Sequence, residues 1–371
     1  MNGLAARLRA CARRKPSANT VRTIIGFKRR HDYRRCRRHL AAIGVHPVKQ
    51  SRAMHMLTYH ADPRRDRKLL QGHPRIAFVE RDFKAKAHPI RRGKGARAIV
   101  PWNVRRVLAP RAWISARQGK CVRIAVIDTG IAEHPDLRIA GGVNTIGGLS
   151  FADDNGHGTH VAGIAAATGK HKLYGTAPRV KLYAVKVLDA NGEGYVSDIV
   201  QGIEWCLARG IRVMNMSLGL GADSKALRTA VRRARRKGAI IVASAGNDGP
   251  SNRAIDYPAR YPQTIAVAAT DRRDKIASFS SRGGGIDVAA PGVDIWSTFL
   301  DGGYAYGSGT SMSSPHVTGG AALLKAIRPR SSPCDVIRAM KASAKPVGNR
   351  RIAGCGLLRI AMAARIARKP R

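Results

Sequence analysis

Acidic residues are scarce in this chain. Its 371 residues hold 23 Asp+Glu against 67 Lys+Arg, a formal net charge of +44. The imbalance is uneven: residues 1–97 carry 27 basic and 5 acidic side chains, half of the excess in about a quarter of the length. Such charge favours polyanions and acidic surfaces on electrostatic grounds. Zinc-finger spacing and aromatic-interleaved basic motifs are missing, so specific nucleic-acid readout is not indicated. Solvated surface charge, with non-specific polyanion contact as a side effect, is the expected meaning. No apolar run reaches the length of a membrane span. Met1 to Lys15 is Arg-rich and lacks the sustained apolar core of a secretory signal. That leaves three alternatives: retention inside the cell, an unusual export signal, or a different start. The six cysteines lack metal-ligand spacing. Their even number permits disulfides, with Cys334–Cys355 as a staple of the tail. A chain this long buries a core without them, so buried free thiols are an equal alternative.

What is present is a set of apolar strands that end in polar loops. Val122 to Ile127 is nearly continuous in its hydrophobicity and closes on Asp128-Thr129-Gly130. Such a run suits a strand buried on both faces of a parallel sheet. Functional groups in open α/β sheets collect at the carboxyl ends of strands. Asn155-Gly156-His157-Gly158-Thr159-His160 leads into an Ala-rich helical pattern, with a glycine on each side of His157. Gly309-Thr310-Ser311-Met312-Ser313-Ser314-Pro315-His316 opens another apolar helix. A serine at a helix mouth has free backbone N–H groups and the positive end of the dipole nearby. A serine nucleophile needs an adjacent base, itself oriented by a third group. His157 and Asp128 are the candidates. A fourth stretch, Ala239 to Ala245, is a buried-type strand that opens into Gly246-Asn247-Asp248-Gly249.

The order Asp, His, Ser, with these local patterns, resembles the subtilisin-like serine proteases. The resemblance runs from about Thr20 to Ala364. It implies that Asp128 orients, His157 is general base and then acid, and Ser311 attacks the scissile carbonyl. Asn247 and the Ser311 N–H would form the oxyanion hole. His160 and His316 are expected to be structural. The implied fold is α/β: a mostly parallel sheet with helices on both faces, preceded by a small α+β, ferredoxin-like propeptide domain. Length alone suggests two domains. The expected divisions are a basic extension over 1–19, an inhibitor-type propeptide over 20–87, a cleavable linker over 88–97 and a peptidase domain over 98–371. Phe83 to Arg97 lacks periodicity; the cut is expected between His88 and Arg97, with cleavage after Arg97 favoured.

Gly192-Glu193-Gly194 matches the family edge that pairs with substrate backbone, and Ser217, Leu218 and Gly219 match the opposing wall of the first specificity pocket. Strand addition of this kind supplies main-chain hydrogen bonds. Asp256 falls where relatives place the pocket floor, and Asp248 near its rim. A carboxylate at the base would favour Lys or Arg before the scissile bond. A solvated loop residue is the equal alternative for Asp256. Many relatives bind structural calcium, and Asp136 matches the aspartate of the tight site. The loop Thr168 to Leu173 carries two lysines, however, and Ala98 stands at the N-terminal ligand position. Calcium wants six to eight oxygens, so the tight site is not expected, a weaker one elsewhere stays open, and catalysis needs no metal. The expected partners are protein or peptide substrates and the chain's own propeptide, in a monomer. The family resemblance favours secretion. The rival reading is a polyanion-binding protein on a catalytically idle scaffold. Intact Asp128, His157, Ser311 and Asn247 argue against it.

Overall fold

The computed structural model describes residues 20–42, 44–62, 69–87, 91–92, 100–251 and 254–368, with isolated positions nearer the N-terminus. Two sheets dominate them. The first is antiparallel and small. Strand β1 (Val21–Phe27) is followed by helix α1 (Arg30–Ala42), β2 (Lys49–Ser51), β3 (Met56–Ala61) and β4 (Ile76–Arg81). β1 lies between β3 and β4, and β2 pairs with the far edge of β3. Ile25, Phe27, Leu57 and Tyr59 point to the α1 side and meet Tyr33, Cys36 and Leu40. Alternate residues Ile24 and Met56 join the core of the larger unit instead. This is the period-2 alternation of a strand with two covered faces.

The second sheet has seven parallel strands. In chain order they are β7 (Arg123–Asp128), β8 (Ile139–Asn144), β9 (Lys181–Lys186), β11 (Val213–Met216), β12 (Ile240–Ser244), β13 (Thr264–Thr270) and β14 (Val288–Pro291). Spatially the order is β14-β13-β12-β11-β7-β9-β8. From β7 the chain goes to the edge strand β8, returns to β9 beside β7, and then crosses to β11 on the other side. That reversal opens a crevice at the carboxyl end of β7, where ligands bind in open α/β sheets. Ile124, Val126, Val213, Val242 and Val267 face one layer; Ala125, Ile127, Met214, Ile241 and Ala266 face the other. The near-continuous apolar strands therefore have both faces buried.

Helices α2 (His157–Ala166) and α5 (Thr310–Ile327) cover the first face; α3 (Val196–Ala208) and α4 (Lys225–Arg236) cover the second. α4 starts because the Ser224 hydroxyl accepts a hydrogen bond from Leu227 N at 3.1 Å, the role of an N-cap. It buries Leu227, Ala230, Val231 and Ala234 and leaves its arginines outward. Two further helices, α6 (Pro333–Ser343) and α7 (Ile360–Arg368), close the tail. A capping box between Ser332 and Asp335 starts α6.

Two expectations change. Cys334 and Cys355 are free thiols, as are Cys36, Cys121 and Cys206, so the staple between 334 and 355 does not form. The Cys334 thiol instead sits 3.1 Å from Arg235 Nη2, and the carbonyl of Asp287 takes Cys355 N at 2.8 Å. The stretch from Phe83 is not uniformly irregular either. β5 (Lys84–Lys86) and β6 (Arg91–Arg92) pair with edges of the larger unit. That pairing depends on distant partners and leaves no local period. Arg97 and Ala98 lie outside the described residues.

Candidate active site

Asp128 is the last residue of β7, fully buried at the crevice. Its Oδ1 accepts Thr129 N at 2.8 Å and lies 2.7 Å from His157 Nδ1. His157 opens α2 directly after Gly156, which has φ +99°. That left-handed conformation costs glycine little. On the other side, a Cβ at Gly158 would run into the Gly130 carbonyl. Gly158 is thus demanded by the close approach of α2 to the end of β7, and Gly156 by its backbone conformation and by the Phe299 ring against it.

Sequence reasoning missed Asp153. Its Oδ1 accepts from Asn155 N and Gly156 N at 3.0 and 2.9 Å; its Oδ2 accepts from Thr159 N and Thr159 Oγ1 at 2.9 and 2.6 Å. It satisfies the first turn of α2 and so fixes where His157 points. Asp153 stands four residues ahead of the helix, outside the cap position, so no helix-start signal marks it. Burial by itself would lower the His157 pKa. The Asp128 charge and hydrogen bond, with the Asp153 charge, raise it instead. The His157 Nε2 atom is buried and has no hydrogen-bond partner among the described residues; nor has Asp128 Oδ2.

Ser311 is the second residue of α5 and is buried. Its hydroxyl donates to the Ser217 carbonyl at 3.2 Å. Ser217 Oγ in turn donates to the Ser311 carbonyl at 2.8 Å and lies 2.8 Å from Ser314 Oγ. The Ser217 side chain is therefore an anchor between β11 and α5, while its backbone belongs to the expected pocket wall. His160, one turn beyond His157 on the same helix face, packs with Met312 around Gly307. The first turns of α2 and α5 thus run together. His160 and His316 are buried, with pKa values pushed down by burial to about 3 and about 4, and both rings are held by backbone carbonyls. Both are structural, as expected.

Asn247 lies just past β12. Its Oδ1 accepts from Thr310 N and Thr310 Oγ1, both at 2.9 Å. The oxygen end is thereby fixed, and the NH2 end lies at Gly309, two residues before Ser311. Thr310 orients this amide through a hydroxyl that no sequence period signals.

The expected substrate edges already hold a strand, and it is the chain's own β5. It pairs antiparallel with β10 (Glu193–Tyr195), with Glu193 opposite Lys86 and Tyr195 opposite Lys84. Ala87 N donates to Gly192 O at 2.8 Å. On its other side Lys86 exchanges two 3.3 Å backbone hydrogen bonds with Gly219. Ala85, between the lysines, is completely buried. Past this point, β6 pairs with β16 (Tyr304–Gly307), which leads into the Ser311 turn.

Leu218 is buried in the sheet core. Asp256 is half-buried between Gly219 and Gly246; a Cβ on either glycine would strike its carboxylate. Burial, together with the nearby Asp248 charge, pushes the Asp256 pKa up to about 6. Asp248 itself is exposed, its N–H held by Ser281 Oγ at 3.0 Å.

The subtilase-family pattern matches residues 119–356. The chain belongs to the subtilase family. It is 43% identical over 298 residues to an alkaline protease of Alkalihalobacillus alcalophilus, covering 80% of this chain and 76% of that protein. It is 46% identical over 268 residues to subtilisin Savinase of Lederbergia lenta, covering 72% and 99%. It is 46% identical over 228 residues to the minor extracellular protease Epr of Bacillus subtilis, covering 60% and 35%. This subtilase is therefore a serine-type endopeptidase, a hydrolase that needs no cofactor for catalysis.

The calcium aspartate of the family can be tested on this subtilase's own geometry. Asp136 is fully buried. Its Oδ1 accepts His171 N at 2.8 Å; its Oδ2 accepts Lys172 N, Leu173 N and Tyr304 Oη, each at 2.8 Å. Three N–H groups and one O–H group thus point their hydrogens at the two carboxylate oxygens. Among the described residues no group of three or more His, Cys, Asp or Glu could hold a metal. No described helix is long and apolar enough to cross a membrane.

Proposed function

We propose that this subtilase cleaves peptide bonds through an acyl-enzyme on Ser311 and that it matures by cutting itself. The observation that carries the reading is the buried Asp128–His157 pair with an unpartnered Nε2. Buried polar atoms are rarely left unpaired, and this one lies by the helix mouth that bears a buried serine. Rotation of the Ser311 hydroxyl from the Ser217 carbonyl to Nε2 completes the relay. Ser311 Oγ then attacks the carbonyl carbon and its proton passes to Nε2. The Asn247 NH2 group and the Ser311 N–H hold the oxyanion. His157 returns the proton to the leaving amine, and water repeats the cycle on the ester.

Residues 20–87 act as the inhibitory propeptide. Glu80 and Asp82 support this: they accept hydrogen bonds at the first turns of two helices in the larger unit. Glu80 takes Lys225 N and Ala226 N at 2.8 Å, and Asp82 takes Ser197 N at 2.9 Å. Carboxylates are stabilising at helix N-termini. β5 meanwhile occupies the cleft. Its antiparallel pairing with Gly219 lies next to Ser217, whose carbonyl holds the Ser311 hydroxyl. The bond offered to Ser311 lies beyond β5, in the linker between His88 and Arg97. Secretion follows the relative named as extracellular. The family's tight calcium site does not fit Asp136, where donors fill the carboxylate.

A Ser311→Ala chain is expected to stay full-length and to lose proteolysis, about 10⁶-fold in kcat as in subtilisin itself. Mature-size protein from that variant would refute self-processing, and no labelling of Ser311 by a serine-directed inhibitor would refute the endopeptidase. Asp256 makes the first pocket select Arg or Lys. Peptides ending in Arg should outrun those ending in Phe and Leu. The margin should widen as pH rises through about 6, because the Asp256 carboxyl ionises there. Faster cleavage after Phe would remove the role of Asp256.

A further inference from the structure

Glu193 does more than present its backbone to β5. Its Oε1 lies 2.5 Å from Lys86 Nζ and its Oε2 lies 2.9 Å from Lys84 Nζ. The two lysines are two residues apart and so share one face of the strand, while Ala85 between them turns into the core. Lys84 Nζ is also 5.6 Å from the centre of the Tyr195 ring, within reach of a cation–π attraction. One carboxylate thus serves two cations on alternate positions of an extended peptide. The two ammonium groups together hold the Glu193 carboxyl down at about 2. In a chain with 23 acidic and 67 basic residues, an acid at this edge stands out from its surroundings.

We infer that Glu193 is a specificity-determining residue, selecting substrates with Lys or Arg at the positions now filled by Lys84 and Lys86. This rests on the endopeptidase reading, and deepens it: the preferred substrate is an extended basic segment carrying cations on alternate residues. The pairs are partly exposed, with Lys84 and Lys86 side chains 49% and 71% accessible. Their effect is therefore bounded by that of surface ion pairs, up to about 5-fold each.

The test uses the matured enzyme and fluorogenic peptides identical except at those two positions, which carry Lys-Ala-Lys, Gln-Ala-Gln or Glu-Ala-Glu. In low salt the Lys peptide is expected to have the highest kcat/KM, about 5-fold or more above the Gln peptide, and the Glu peptide the lowest. High salt should shrink the ratio. Glu193→Gln should bring it close to one, and Glu193→Lys should reverse it in favour of the Glu peptide. A ratio near one in the unaltered enzyme, or one unchanged by both substitutions, would overturn the inference. Cleavage of the Gln peptide keeps the outcome separate from the underlying activity. If no peptide is cleaved and Ser311 takes no covalent label, it is the endopeptidase reading that fails.

Discussion

The two sheets cover their faces by different means. In the seven-stranded sheet, α2 and α5 lie on one side and α3 and α4 on the other, all within residues 100–368. The small sheet has one helical cover of its own, α1, and gives its other face to the larger unit through Ile24 and Met56. Its carboxylates Glu80 and Asp82 lie on helices that belong to its neighbour. A unit of this size buries too little on its own to stand far from unfolding. The two layers of the larger unit are built almost wholly from its own residues, whereas the small sheet owes the cover of one face to its neighbour.

Asn247→Ala gives the largest separation between the two regions. Loss of this donor lowers kcat about 10²–10³-fold in subtilisin, and the same fall is expected here. The small unit should stay seated, because among the described residues the hydrogen bonds of Asn247 and Thr310 join them to each other and to Gly246. Steady-state kinetics together with a size check of the Ser311→Ala chain would register both. A kcat within a few-fold of the parent would remove Asn247 from the oxyanion hole.

Asp136→Asn acts on the larger unit alone. An Asn NH2 group would face N–H donors, at about 1–3 kcal/mol for the unsatisfied groups. Its Tm should fall, while a chelator should leave the Tm of the parent chain unchanged. A chelator-sensitive Tm restored by calcium would show a cation site elsewhere in the fold.

Glu80→Ala touches only the joint. It removes the acceptor at the start of α4, where cap losses run to about 1 kcal/mol. The full-length Ser311→Ala chain is the background in which to read it. Unfolding of the small unit should shift to lower temperature while the main transition holds. A single transition that moves as a whole would mean that the two regions melt together.

The sequence exposes the larger unit better than the details of its site. β7, β9, β11 and β12 are legible because strands buried on both faces are apolar almost throughout. Asp128, His157, Ser311 and Asn247 are legible because each stands at a change from apolar run to glycine-containing loop. Asp153 and Thr310 are not: they act on atoms two to six residues away, or across 63 positions, and a lone acceptor or donor carries no period. Asp136 matched a calcium ligand by family resemblance, yet its partners are mostly backbone N–H groups, which any residue can supply. The pairing of Cys334 with Cys355 had only even number in its favour. β5 and β6 are strands because of the edges beside them.

If the chain matures as proposed, a plug that is also part of its own molecule changes how the enzyme is switched on. While Lys84–Lys86 remains tethered, its hold on the cleft is set by the tether, as if it were present at millimolar concentration. Once the bond beyond it is broken, that same segment competes only at the concentration of the surrounding fluid. Dilution then favours the working form, and crowding delays it. Release is thereby timed by how quickly the freed piece drifts off or is itself digested.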